Sequence, residues 1–162
     1  MAFFHKKHPK IREFDAQEDL RDWTIYTLTN EEMGATGIIR IRRNRPPYVD
    51  TTNFDTAISI RWKYESEMLP DDATSQEMTT FEEAIDDLTA ANDVAELVYV
   101  RTGFGEREWL FYATKKSRFM AQFNALLTEH PRYPIAIRFQ RDPDWKIWRE
   151  MLDPLLARTE DA

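Results

Sequence analysis

The amino-acid sequence predicts an α+β fold in a single domain, and three observations support this prediction. The chain has 162 residues, which is the usual length of one domain. Hydrophobic residues make up 42% of the chain and charged residues 31%, a composition typical of globular proteins. Some segments alternate apolar and polar residues as strands do, whereas others repeat apolar residues at helical spacing.

Six segments have the composition or the alternation of β-strands. The clearest is 56–64, in which Ile58 and Ile60 lie on one side and Arg61 on the other. Gly103 and Gly105 predict a hairpin turn between the fourth and fifth strands. The six predicted strands are 23–29, 36–43, 56–64, 96–101, 108–113 and 134–140.

Three segments have the periodicity of helices. Thr79 and Glu82 stand three apart, the spacing of a capping box, and apolar residues then recur until the helix ends at Asn92. A second helix is predicted over 117–129. For the third, Asp142 is the expected N-cap, Pro143 fits the first turn, and Pro154 is expected to limit the helix.

These elements follow one another in the order βββαββαβα. From the third strand onward the order is βαββαβ, which is that of a ferredoxin-like core with an antiparallel sheet. The first two strands are expected either to extend the sheet or to form an N-terminal hairpin against it. We expect the helices to cover one face of the sheet. Residues 1–22 are interpreted as an arm with one helical turn around 15–20, residues 23–157 as the domain and residues 158–162 as a tail.

The composition excludes several kinds of chemistry. The chain has no cysteine, so it has no disulfide, catalytic thiolate or Cys-based metal site. No nucleophile, Walker or zinc-protease motif occurs. His5 and His8 stand three apart, but Pro9 and the neighbouring lysines argue against a closed metal site. The sequence therefore predicts no catalytic, metal or cofactor-binding residue and leans against an enzyme. The absence of a membrane span and of a signal peptide favours the cytoplasm.

Charge is distributed unevenly along the chain. The formal net charge is −7, yet residues 65–96 contain 11 acidic residues and no basic one. We call residues 65–96 the acidic segment. Such a segment is usually a solvated surface, but it also suits a basic partner.

Strand alternation predicts a second charged surface. If the isoleucines of the strands point to the helices, the alternate residues form a basic and aromatic face on the other side of the sheet. Its candidate partner-binding residues are Arg40, Arg42, Arg61, Lys63, Tyr99, Arg101 and Arg138. Alternatives are that this face is simply the polar side of a half-buried sheet, covered by the arm or the last helix, that the acidic segment covers it, or that it pairs two copies as a homodimer.

The C-terminal stretch 142–154 carries a family resemblance. It has an acidic residue, a proline, a second acidic residue and Trp145, followed by Trp148 and a closing Pro154. This ending resembles that of the bacterial domain-of-unknown-function family numbered 695, and the segments GIIRIRRN and TGFGEREWLFYAT resemble its second strand and central hairpin. The resemblance spans residues 20–155. It implies a ferredoxin-like protein, related in outline to ribonuclease-inhibiting regulators, which binds rather than catalyses. It supplies no site residues, and it implies a packing role for the two tryptophans.

Three functions follow from these observations. The favoured one is a non-catalytic protein-interaction module, of inhibitor or immunity type, that uses the basic face or the acidic segment. The second is a small-ligand enzyme with a pocket between the sheet and the last helix, near Tyr112, Trp145 and Trp148. The third is a weak binder of single-stranded RNA, which the acidic net charge does not favour.

Overall fold

The computed structural model describes residues 10–15, 23–32, 34–46, 49–90 and 93–160. Within these ranges, seven strands form one sheet and three helices pack on it, so the predicted α+β class is confirmed. The strands are β1 (Lys10–Asp15), β2 (Trp23–Asn30), β3 (Ala35–Arg42), β4 (Thr56–Lys63), β5 (Ala95–Gly103), β6 (Glu106–Ala113) and β7 (Ile135–Arg141). The helices are α1 (Asp72–Ala84), α2 (Lys116–Leu126) and α3 (Lys146–Glu160), and a 3₁₀ turn, Asp86–Thr89, follows α1.

The strands lie in the order β1-β2-β3-β5-β6-β4-β7, and all neighbours are antiparallel. The strands predicted over 23–29 and 36–43 extend the sheet, because β3 pairs with β5. The segment interpreted as an arm contains a strand, because β1 pairs with β2. The helical turn expected around 15–20 is wrong at Asp15, which is in β1, and otherwise lies outside the described residues.

Helices cover both faces of the sheet, whereas the sequence predicted cover on one face only. On one side, which we call the α1 face, Ile60 and Trp109 of the sheet pack with Phe81 of α1. On the other, the α3 face, Ile39 and the side chain of Trp148 from α3 lie in a second core. The cause is the apolar stripe of α3, which must be buried and finds the opposite face of the sheet free of α1 and α2.

Helix α1 begins earlier than the capping-box spacing predicted. Its N-cap is Asp71, whose carboxylate accepts a hydrogen bond from the Thr74 amide at 2.7 Å. Thr79 lies inside the helix, where its hydroxyl donates to the Ser75 carbonyl. The expected cap at Thr79 is therefore wrong, because a carboxylate one turn or more upstream already satisfies the amides of the first turn.

The side chain of Asp142 caps the first turn of helix α3, but Asp142 is not at the predicted N-cap position, because the helix begins at Lys146. The Asp142 carboxylate accepts hydrogen bonds from the amides of Lys146 at 3.0 Å and Ile147 at 2.9 Å. Pro143 lies in the turn that precedes the helix, not in its first turn. Pro154 lies inside α3 and does not limit it, because its ring is exposed and the buried Leu155 holds the next turn against the core.

The β5–β6 hairpin turns through two residues, Phe104 and Gly105, with φ of 57° and 86°. Positive φ at both positions is the requirement of a type I′ turn, which matches the twist of the paired strands. Just before the turn, a β-carbon on Gly103 would lie 2.5 Å from the Cα of Gly37. Glycine at 103 thus permits close approach of β5 to β3.

Candidate functional site

The seven predicted partner-binding residues do not share one face of the sheet. The strand register places Arg40 in a row with Val100, Trp109 and Ile60 on the α1 face. The adjacent row, on the α3 face, contains Ile39, Arg101, Glu108 and Arg61. The premise that the isoleucines of β3 and β4 point the same way is therefore wrong.

The burial of the seven residues also differs. Arg42, Tyr99 and Arg101 are buried. Arg40 and Arg61 are half-buried, and Lys63 and Arg138 are exposed. No single surface therefore presents all seven residues to a partner.

On the α1 face, Arg40 lies in a groove between α1 and the β2–β3 half of the sheet. Its guanidinium forms an ion pair with Glu82 and lies 5.7 Å from the centre of the Trp23 ring. Glu82 also accepts a hydrogen bond from the indole of Trp109 at 3.1 Å. Two cavities of about 340 Å³ and 330 Å³ form this groove and share Ile25, Arg40 and Glu82.

Arg42 also lines the groove, but its side chain is held by contacts within the chain. Its side chain forms an ion pair with the buried Glu96 at 3.3 Å and donates to the Leu97 carbonyl at 2.9 Å. Its own carbonyl accepts a hydrogen bond from the indole of Trp148 at 3.0 Å. Two residues of the acidic segment, Glu82 and Glu96, therefore form ion pairs with two of the predicted basic residues, Arg40 and Arg42, within the same chain.

Most of the acidic segment faces solvent. Among its 11 acidic residues, Glu82, Asp93 and Glu96 form ion pairs with arginines. The other eight are exposed and form no ion pair with the described residues: Glu65, Glu67, Asp71, Asp72, Glu77, Glu83, Asp86 and Asp87. The hydrogen bonds that Asp71 accepts from Thr74 hold its pKa below the usual value of a carboxyl. A concentrated negative surface therefore extends along α1 and its flanking loops.

Exposed apolar side chains adjoin this negative surface. Met68 and Leu69, in the loop before α1, are 48% and 40% exposed. Ile38 of β3 is 40% exposed and lines the same cavity of the groove as Leu69. Large exposed hydrophobic residues beside a charged rim are typical of protein–protein interaction sites.

On the α3 face, six side chains form what we call the polar cluster: Ser59, Arg61, Tyr99, Arg101, Glu106 and Glu108. Glu108 is 1% exposed and lies at the centre. It accepts hydrogen bonds from Ser59 at 2.6 Å, Tyr99 at 2.8 Å and Arg61 at 3.0 Å, and lies 3.4 Å from Arg101.

These contacts determine the charge states within the polar cluster. Burial by itself would raise the pKa of Glu108, but Arg101, the Ser59 hydrogen bond and Arg61 together lower it below its usual value. Burial and the adjacent Glu108 raise the pKa of Tyr99 well above its usual value. At neutral pH the cluster therefore contains an ionised Glu108 and a neutral Tyr99.

The segment that carried the family resemblance forms a packed anchor for α3. The indole of Trp145 donates to the Phe54 carbonyl at 2.8 Å and stacks on Tyr112 with ring centres 4.2 Å apart. The Tyr112 hydroxyl donates to Asp142 at 2.6 Å, and burial together with this carboxylate raises the pKa of Tyr112. Trp145 and Trp148 are buried in the core. These three rings pack together in the place beside which a pocket was expected, and a cavity lies between the sheet and the start of α3 at Ile147.

The family model that describes a family of unknown function, DUF695, matches residues 21–153. This match covers most of the chain. The chain belongs to DUF695. No curated protein matches it.

The described part of this DUF695 protein contains no group of three or more His, Asp or Glu side chains with metal-binding geometry. His5 and His8 lie outside the described residues. His130 has a local contact, with its Nδ1 atom 3.0 Å from the Tyr133 hydroxyl. None of the described helices is long and apolar enough to span a membrane.

Sequence reasoning missed the acidic members of the polar cluster in this DUF695 protein. A signal was present, because Glu106 and Glu108 alternate with Arg107 and Trp109 along β6. Strand alternation places those two carboxylates on one face. Their partners Arg61 and Arg101 become visible only once the register of β4, β5 and β6 is known.

Proposed function

We propose that this DUF695 protein is a non-catalytic interaction module that binds a basic surface of another protein through its acidic segment. The observation that supports this most is the set of eight exposed carboxylates that form no ion pair with any described residue, next to exposed Met68 and Leu69. Apolar contacts supply affinity at the centre of an interface, and complementary charge supplies specificity and a fast association rate.

An inhibitor or immunity-type role is the specific form of this proposal. Enzymes that act on nucleic acids have basic active-site surfaces, because they must attract phosphates. A compact negative surface can cover such a site by charge complementarity. We place this activity in the cytoplasm, where a chain without cysteine is unaffected by the reducing conditions.

We also propose that β4-α1-β5-β6-α2-β7 is a ferredoxin-like core. Its support is the element order together with the strand order β5-β6-β4-β7, in which all neighbours are antiparallel. The proposal requires right-handed crossovers through α1 and α2. An experimental structure would test this handedness directly.

The interaction proposal is tested by capture from lysate of the source organism with a charge-reversal variant. Glu83→Lys with Asp87→Lys reverses two exposed carboxylates, one in the last turn of α1, where a cation also suits the helix dipole, and one in the 3₁₀ turn that follows. The matched control is Glu129→Lys with Asp153→Lys, which changes the net charge equally at exposed positions outside the acidic segment.

We expect one stoichiometric protein to bind the parent chain and the control at low salt. We expect its affinity for the Glu83→Lys, Asp87→Lys variant to fall by roughly tenfold or more. High salt should also lower the affinity of this partner for the parent chain. Equal binding to both variants would exclude the acidic segment. Nucleic acid in the captured material would favour the RNA-binding alternative instead.

A further inference from the structure

A small cavity adjoins the polar cluster on the α3 face, on the side of the sheet away from α1. Its volume is about 150 Å³. The strands supply its polar lining, in which Arg61 and Glu108 belong to the polar cluster, and Arg138 and Gln140 come from β7. Apolar walls come from Ala57, Leu110 and Ile147. This cavity, unlike the space at Tyr112, lies open between the sheet and the start of α3.

The acceptor capacity of the cluster is already used. Both carboxylate oxygens of Glu108 are occupied, one by Tyr99 and Arg101 and the other by Ser59 and Arg61. Glu108 therefore has little capacity to bind a further donor. A ligand in this cavity would have to interact with the remaining donors.

Several donors on the cavity side are not saturated by the described residues. The Nη1 atom of Arg61 has only a long contact, 3.9 Å, with Glu106. The side chains of Arg138 and Gln140 form no hydrogen bond or ion pair with the described residues. The polar cluster and the cavity together contain three arginines, at 61, 101 and 138, and two glutamates, at 106 and 108. They therefore have a net charge of one positive unit.

Replacing a buried ion network by apolar residues of similar volume is often neutral or stabilising, so stability alone is a weak explanation for this network. Perturbed carboxyls beside a cavity with converging polar groups are typical of ligand sites. The volume here is below the range of roughly 300–1,000 Å³ that holds drug-sized ligands. It suits an anion with only a few heavy atoms.

We propose that this cavity binds a small monocarboxylate with a short aliphatic tail. The carboxylate contacts the guanidinium groups of Arg61 and Arg138 and the amide of Gln140. The tail lies against Leu110 and Ile147. A carboxylate with an aliphatic tail fits better than a fully hydrophilic anion, because Ala57, Leu110 and Ile147 also line the cavity and guanidinium groups bind carboxylates with paired hydrogen bonds. The proposal is independent of the acidic segment and of its partner.

The test is a titration of the full chain with butyrate, followed by amide chemical shifts, with butyramide as the uncharged analogue. We expect saturable shifts in β4, β6 and β7 around 57–61, 108–110 and 138–140. Butyramide, which has the same shape without the charge, should give none of them. Similar shifts with butyramide, or no saturable shift with butyrate, would overturn the proposal.

Two variants test the location of the site, and one competitor tests the class of ligand. Arg138→Gln removes an exposed guanidinium from the cavity and should weaken butyrate binding by roughly tenfold or more. Arg132→Gln removes an exposed guanidinium outside the cavity and should leave binding unchanged. Equal affinity in the two variants would exclude this site. Inorganic phosphate that competes as strongly as a carboxylate would overturn the assigned ligand class.

Discussion

Glu108 is the residue on which most of the polar chemistry of the α3 face depends. It is fully buried in the sheet and contacts four side chains from β4 and β5, two of them arginines. A buried ion of this kind is tolerated only because hydrogen bonds and opposite charges replace its hydration. Removing its charge leaves the buried Arg101 and the half-buried Arg61 with Glu106 as their remaining counter-ion.

We expect Glu108→Gln to lower the free energy of unfolding by about 1–3 kcal/mol at neutral pH, because Arg61 and Arg101 lose one of their two carboxylate partners and keep only Glu106. The parent chain should also show acid sensitivity that the variant lacks. The pKa of Glu108 is below its ordinary value of 4.5 in the folded state. Its contribution to stability is therefore complete above the unfolded pKa and is lost as the pH falls through the folded pKa.

Urea denaturation at about pH 7 and about pH 3 measures both effects, with Glu106→Gln as the control. Glu106 lies in the same cluster but is partly exposed, so its loss should destabilise the protein less. A Glu108→Gln variant as stable as the Glu106→Gln variant at neutral pH would contradict this account.

At the scale of elements, the strands and the helices differ in how well the sequence predicted them. The predicted strand over 56–64 corresponds to β4 within one residue, because alternation of Ile with polar residues marks its whole length. Helix α1 begins seven residues before Thr79. Its first turns, from Asp72 to Glu77, contain no large apolar residue that would reveal their periodicity. The cap at Asp71 was the available signal.

The caps of α1 give a direct test of this correction. Asp71→Ala should lower the free energy of unfolding, because the Thr74 amide loses its acceptor. Thr79→Ala should change it by less than about 0.5 kcal/mol or raise it slightly, because alanine favours the exposed interior of a helix. Chemical denaturation of the two variants measures the difference. The reverse ranking would restore Thr79 as the start of the helix.

At the scale of the whole molecule, the two cores are not independent. Strands β4, β5 and β6 contribute side chains to both, with Ala57, Val98 and Leu110 in one core and their neighbours Ile58, Val100 and Trp109 in the other. The sheet therefore forms one side of both cores. Loss of α3 from its face should remove support from the strands on which α1 and α2 pack.

We therefore expect both cores to unfold in a single transition. Urea curves followed by tryptophan fluorescence and by far-UV circular dichroism should coincide, because buried tryptophans report from both cores: Trp62 and Trp109 from one, Trp145 and Trp148 from the other. A fluorescence change that precedes the loss of secondary structure would mean instead that one of the two cores opens before the sheet unfolds.

The sequence by itself determined the α+β class, the approximate positions of six of the seven described strands, the family resemblance and the charge of the acidic segment. These properties depend on local composition and on periodicity within one element. The cap at Asp142 was predictable for the same reason, since capping involves residues a few positions apart.

Only the tertiary structure decided which arginines lie together. Alternation within one strand gives the relative orientation of neighbouring residues, but not which face of the sheet each one occupies. That depends on the pairing of distant strands, here β3 with β5 and β4 with β6, and on the register shift between Leu97 and Tyr99. Arg40 therefore pairs with Glu82 on one face, while Arg61 and Arg101 surround Glu108 on the other.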